Sequence, residues 1–324
     1  MPMTDLGIVI VSWNVRDLLA ACLESVLRNT EHTPRIIVVD NASTDGSAEM
    51  VRDRFPQVHL ITRDKNLGFA GGNNAGIRYW GLDTPMPNTQ CPRYLLLLNP
   101  DTIVHGGALE TMVRFMDATP RAGVCGARLI YGDGSFQHSA FGFPGLWQIA
   151  LDVPGVHRRL VESRLNGRYS RKLYGGDLPF EIDHPLGASM MVRSDAIRQV
   201  GLMDEGFHMY CEEIDWAWRI KEAGWKIYCV PGAEIVHYGG QSTQQVKPEM
   251  ILALWTSRLR LYRKHHPTWK QVAARWLVRR KMRQEIRLAD SALTRGETDK
   301  ATHTALVKAY RQVIELYASS SDQP

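Results

Sequence analysis

The sequence has no CxxC pair, and its five cysteines (Cys22, Cys91, Cys125, Cys211 and Cys229) are scattered and odd in number. That pattern argues against a disulfide framework and points to a reducing, cytoplasmic compartment. Neither GxGxxG nor GxxxxGKS/T occurs, so a dinucleotide Rossmann site and a P-loop are both unsupported. No uninterrupted apolar run approaches the roughly 20 residues that span a bilayer. Met1-Pro2-Met3-Thr4-Asp5 lacks the basic-then-apolar pattern of a signal peptide. Any membrane contact is therefore expected to be peripheral, on the inner face of the plasma membrane. There is no internal repeat and no low-complexity tract, and only Ser319 to Pro324 reads as disordered.

What remains is an ordinary globular composition. Of 324 residues, 44% are hydrophobic and 23% charged, enough for a sizeable core. The net charge of +5 is unevenly placed. Between Leu254 and Leu288 stand eleven Lys/Arg and one acid, Glu285, and the remainder is acidic. Such an arm suits an anionic lipid surface, a phosphorylated acceptor or nucleic acid, or it is simply a solvated helical face. Within it Trp255, Leu259 and Tyr262 recur at helical spacing, as do Trp269, Val272 and Trp276, with basic residues between them. Residues 255–287 thus read either as helices lying on an anionic membrane or as helices packed on the rest of the chain.

The first half alternates strand and helix. Leu6–Val11, Arg35–Val39, Val58–Ile61 and Tyr94–Leu98 read as strands, and Val15–Leu27 and Leu109–Met116 as helices. Thr44-Asp45-Gly46-Ser47 opens a further helix. Repeated strand–helix units predict a mostly parallel sheet flanked by helices, with ligands bound beyond the carboxyl ends of the strands. Polar clusters stand at those ends: Ser12-Trp13-Asn14, Asp40-Asn41 and Asn99-Pro100-Asp101. Residues 132–186 read as loops and short elements that shape an acceptor site. A helix over Glu212–Ala223, stopped by Gly224, precedes a strand over Trp225–Val230, and the chain is helical after Lys247.

Asp40 can accept hydrogen bonds from a pyrimidine or ribose, or it caps the next helix. In Asn66-Leu67-Gly68-Phe69-Ala70-Gly71-Gly72-Asn73, glycines bring backbone close to a phosphate, or serve an ordinary helix start. Asp101 can hold a hard divalent cation that clamps a diphosphate, or it is a turn residue. Glu212, Glu213 and Asp215 crowd a helix N-terminus, where the dipole keeps a carboxylate ionised as a base, and one of them can pair with Arg219. His237 can complete a metal site with Asp101, or it is a hydrogen-bonded structural histidine.

In order, these motifs resemble glycosyltransferase family 2, in particular its bacterial rhamnosyltransferase-like branch. The pieces are Val11-Ser12-Trp13-Asn14, Val39-Asp40-Asn41-Ala42-Ser43, the Asn66–Asn73 segment, Asn99-Pro100-Asp101, Gly187-Ala188-Ser189-Met190-Met191 and Tyr210-Cys211-Glu212-Glu213-Ile214-Asp215. The resemblance covers residues 6–243. It implies a GT-A fold, a Rossmann-like sheet, over residues 1–245, with a basic helical extension over 246–324. It also implies inverting transfer from a nucleotide diphosphate-sugar (dTDP- or UDP-linked, rhamnose in this branch) to a saccharide or lipid-linked acceptor, in cell-surface polysaccharide synthesis. No specific nucleic-acid partner is implied.

By the same resemblance Asp40 contacts the nucleobase, with Ser12, Asn14 and Asn41 near the nucleotide. Gly71, Gly72, Asn73, Asn99 and Asp101 line the donor site. Asp101 and His237 hold Mg²⁺ or Mn²⁺, and Asn99 stands where the family more often has Asp. Glu213 removes the acceptor proton in a single displacement, the assignment among Glu212, Glu213 and Asp215 being open. Two rivals stand beside this reading. A sugar-nucleotide nucleotidyltransferase would want a basic Gly-rich loop after the first strand, which Ser12-Trp13-Asn14 does not supply. A non-enzymatic carbohydrate-binding module would leave the ordered acids without a purpose.

Overall fold

A computed structural model describes residues 6–30, 34–84, 91–151, 157–207, 209–239 and 247–319. Met1–Asp5, the 245/246 boundary and the tail beyond 319 lie outside them, as does the end of the resemblance after Gly239. The chain divides into two compact units. The first comprises residues 1–143, 167–208 and 212–242, the second residues 144–166, 209–211 and 243–324.

The first unit is built on a ten-stranded sheet. Its strands are β1 (Leu6–Ser12), β2 (Arg35–Asp40), β3 (His59–Thr62), β4 (Tyr94–Leu98), β5 (Thr102–Val104), β6 (Ala122–Ile130), β7 (Phe136–Gln137), β9 (Phe180–Ile182), β11 (Ser189–Arg193) and β12 (Lys226–His237). β8 (Ala140–Phe141) and β10 (His184–Pro185) form a separate pair. The main order is β3-β2-β1-β4-β11-β6-β12-β5. The first four strands are parallel, as are β6 and β12, while β11 runs antiparallel between β4 and β6.

Continuous apolar strands bury both faces. Ile8 and Ile10 enter one core with Leu19 and Leu23 of α1 (Arg16–Arg28), Val51 of α2 (Ser47–Arg54) and Met112 of α4 (Ala108–Ala118). Val9, one residue out of phase, enters the other with Ile77 of α3 (Gly68–Tyr79), Ile197 of α7 (Ser194–Val200) and Trp216 of α8 (Glu212–Glu222). The fold is thus α/β with helices on both sides of the sheet, as the alternating pattern predicts.

The second unit is helical: α5 (Leu146–Leu151), α6 (Arg158–Val161), α9 (Lys247–His265), α10 (Thr268–Thr294) and α11 (Lys300–Ala318). Ile149, Trp255, Leu259, Tyr262, Ala274, Val278, Met282, Val313 and Tyr317 form its core. Residues 144–166, expected to shape an acceptor site, pack here with the C-terminal helices. Of the two stripes read either as membrane-facing or as packed, Trp255, Leu259 and Tyr262 are core residues, while Trp269, Val272 and Trp276 are exposed.

Candidate active site

Because β1, β2 and β4 are parallel, their carboxyl ends reach one edge of the sheet, with Ser12 paired in register to Asp40 and Ile10 to Leu98. β11 runs the other way, so its first residue, Ser189, faces Leu98 there, and the Asn99 N–H donates to the Ala188 carbonyl (2.9 Å). β12 is parallel to β6 and ends at the same edge, with His237 paired to Thr102. Gly187 precedes β11, and a Cβ built on it would lie 3.4 Å from Glu213 Cγ and 3.6 Å from Phe69 Cζ. Topology thus gathers Ser12, Asp40, Asn99, Asp101, His237 and Glu213 at one edge.

The loops there are held by side chains. The Asn14 N–H donates to Ser43 Oγ (3.0 Å), and Asn14 Oδ1 accepts from the Thr44 N–H (2.8 Å). Asn41 Nδ2 donates to the Gly68 carbonyl (3.0 Å). Among the described residues, the non-glycines with left-handed backbone are Asn14 (φ 52°), Ala42 (φ 62°), Tyr210 (φ 70°) and Cys211 (φ 69°). The first two are in the loops after β1 and β2, and the last two lead directly into α8. Each such residue costs about 1–3 kcal/mol, a strain that clusters where function fixes the backbone. Asp40 Oδ2 accepts from the Ser43 N–H (3.1 Å), but Asp40 Oδ1, Ser12 Oγ and Asn41 Oδ1 are buried without a hydrogen-bond partner. Buried polar atoms left unpaired cost on the order of 1–3 kcal/mol each, which a ligand donor would recover.

Asp101 and His237 are both buried, with His237 Nε2 3.4 Å from Asp101 Oδ1. The other ring nitrogen, Nδ1, lies 3.2 Å from Gln137 Oε1. With the amide assigned in that orientation, Nδ1 donates to Gln137 and Nε2 is the nitrogen turned toward the carboxylate. A carboxylate oxygen beside an imidazole nitrogen that has no hydrogen-bond partner offers two ligands that one cation can share. Among the described residues no group of three or more His, Cys, Asp or Glu is arranged to hold a metal ion by itself. The donor set therefore suits a hard divalent ion that takes its remaining ligands from phosphate and water. Gln137 went unnoticed in the sequence: it lies 100 positions from His237, on a two-residue strand.

The acids of α8 separate by environment. Asp215 is fully buried, and Arg219 Nε donates to it (3.0 Å) while the same guanidinium donates to the Val200 and Leu202 carbonyls (2.7 and 2.8 Å). Asp215 is thereby committed to a structural pair. Glu212 is buried. Glu213 is half-buried, and desolvation pushes its carboxyl up to about 7, against the pull of its own and the Ile214 backbone N–H. Desolvation here opposes the stabilisation that the helix terminus gives a carboxylate. An acid titrating near neutrality is poised for proton transfer.

The glycines of α3 let the helix pack closely on its surroundings. A Cβ on Gly72 would meet Val11 Cγ1 at 2.6 Å, one on Gly76 would meet Val9 Cγ1 at 2.5 Å, and one on Gly71 would meet Leu67 Cβ at 2.8 Å. The close approach seen is of α3 to β1 and to its own first turn. Asn73 Nδ2 donates to the Phe69 carbonyl (3.0 Å) within the helix.

At 28% identity over 283 residues, the chain is similar to N-acetylglucosaminyl-diphospho-decaprenol L-rhamnosyltransferase of Mycobacterium tuberculosis, covering 86% of this chain and 90% of that protein. It is 25% identical to rhamnosyltransferase WbbL of Escherichia coli over 71% of this chain and 82% of that one. In fold it is similar to mannosyltransferase PcManGT from Pyrobaculum calidifontis, solved with GDP-Man and Mn²⁺, with a TM-score of 0.53, 13% identity and coverage of 97% and 84%. Residues 7–200 match the family described as Glycosyl transferase family 2. With that match extending over more than half its length, the chain belongs to glycosyl transferase family 2 and is a glycosyltransferase.

Proposed function

We propose that the chain transfers a sugar, rhamnose in the first instance, from a nucleoside diphosphate to a hydroxyl of a prenyl-diphosphate-linked saccharide, with inversion. The observation that carries this reading is the gathering of Asp40, the Asp101–His237 pair and the neutral-titrating Glu213 at one sheet edge. The relatives named above as rhamnosyltransferases support the choice of sugar, and the diphospho-decaprenol relative supports the acceptor class.

Asp40 Oδ1, Asn41 Oδ1 and Ser12 Oγ offer acceptors to N–H and O–H groups of a base and ribose. Asp101 and His237 would hold Mg²⁺ or Mn²⁺, which when bound supplies positive charge for a diphosphate leaving group. Glu213 accepts the acceptor proton from its place beside Gly187. Inversion follows from one displacement with no covalent enzyme intermediate.

The test incubates the full chain with a panel of dTDP-, UDP- and GDP-sugars, Mn²⁺ and a prenyl-diphosphate-linked N-acetylglucosamine. Nucleoside diphosphate release that needs both donor and acceptor, greatest with dTDP-rhamnose, is expected. Formation of a nucleoside triphosphate from added pyrophosphate would replace this reading with a nucleotidyltransferase.

A further inference from the structure

No helix among the described residues is long and apolar enough to cross a membrane. Yet α10 presents a face that ordinary solvation does not explain. Trp269, Val272 and Trp276 are 63%, 61% and 60% exposed, on a helix whose core residues are Ala274, Val278 and Met282. At about 100° per residue, the exposed three cluster within roughly 60° of one another, on the side opposite the core stripe. Spacings of four, three and four residues then carry the same outward line on to Arg280, Arg283 and Arg287, all exposed. None of these three arginines makes an ion pair among the described residues. The line from Trp269 to Arg287 is roughly 27 Å long, apolar at its start and cationic at its end.

We infer that this outward face of α10 docks on an anionic phospholipid bilayer, lying flat in the headgroup layer. Indole rings suit that layer, being amphipathic and flat, and arginine pairs with lipid phosphate. Two cations flank the rings: Lys270 Nζ is 5.6 Å from the Trp269 ring and Arg280 Cζ 5.7 Å from the Trp276 ring. Trp147, 62% exposed, adds a further indole on α5, which packs against α10. A protein partner would be expected to meet an apolar face with little charge at its centre. Here one line joins two tryptophans to three uncompensated arginines, which complements a surface that is apolar within and anionic outside.

The experiment uses the full chain without any sugar donor, so its outcome does not depend on the transfer reaction. Sedimentation with vesicles of phosphatidylcholine containing 30% phosphatidylglycerol is compared with pure phosphatidylcholine, at about 50 and 500 mM NaCl. Strong binding is expected only to the anionic vesicles at low salt. R280Q/R283Q/R287Q should weaken it by about fivefold per arginine, on the order of a hundredfold in all. Lipids brominated near the headgroup should quench tryptophan fluorescence in the wild type, and W269A/W276A should remove most of that quenching. Equal binding to neutral vesicles would overturn the inference. So would absence of quenching, or a lipid-independent dimer that W269A/W276A dissolves, which would make the face a contact between two copies.

Discussion

The charge on Glu213 costs free energy where it stands, because burial removes water that two backbone N–H groups only partly replace. Its ordinary value of 4.5 is raised to about 7, so the folded state holds the proton over that interval while the unfolded chain releases it. Stability therefore declines as pH rises from about 4.5 through 7. Glu213→Gln, which never charges, should melt about 2 °C above the wild type at pH 8, with the gap closing toward pH 4.5, by scanning calorimetry; the residual solvent exposure of the side chain keeps the effect small. Transfer has the opposite sign. kcat/KM should rise with pH along a single limb centred near 7, and the Gln variant should lose about 10²- to 10⁴-fold in rate. A flat profile with full activity in that variant would remove Glu213 from the base role. Gln137→Ala should leave the His237 ring free to turn and weaken Mn²⁺ binding by about 10- to 100-fold, read by titration calorimetry.

Among the elements, α3 and β1 are fitted closely through glycine. Gly72→Ala would drive a methyl into Val11, costing about 1–3 kcal/mol in urea unfolding, and would disturb the bond from Asn41 to the Gly68 carbonyl. β1, β2 and β4 were legible in the sequence because they are unbroken apolar runs, and their polar ends named the site edge. β6 was not, since Gly123 and Gly126 interrupt it. Those glycines make room for Trp225 and Pro185, whose atoms would lie 2.6 and 2.5 Å from an added Cβ. β12 was expected to stop at Val230 but continues to His237, absorbing Pro231-Gly232 in an irregularity between Val230 and Glu234. Glycine served two needs with one signature, so the Gly71-Gly72 pair was legible as a close approach but not as an approach of helix to strand. Likewise two stripes at helical spacing, one on α9 and one on α10, differ in what covers them. That is tertiary information a periodicity does not contain.

For the whole molecule, the division into a sheet unit and a helical unit can be read through its thiols. Cys22, Cys125 and Cys229 are buried in the first unit and Cys211 in the second. Burial pushes Cys22 and Cys229 up to about 12 and raises Cys125 further, so thiolate is scarce at neutral pH. Half-buried Cys91, whose Sγ donates to the Trp80 carbonyl (2.7 Å), should be the first to react with iodoacetamide. The other four become reactive only when their surroundings open. In a urea series read by peptide mass spectrometry, Cys22, Cys125 and Cys229 should be alkylated in concert. Divergence among those three would show that the sheet opens in pieces. Cys211 follows its own curve if the helical unit melts independently and theirs if it does not. The chain thus carries its own set of unfolding reporters, and no label need be engineered to ask whether its halves cooperate.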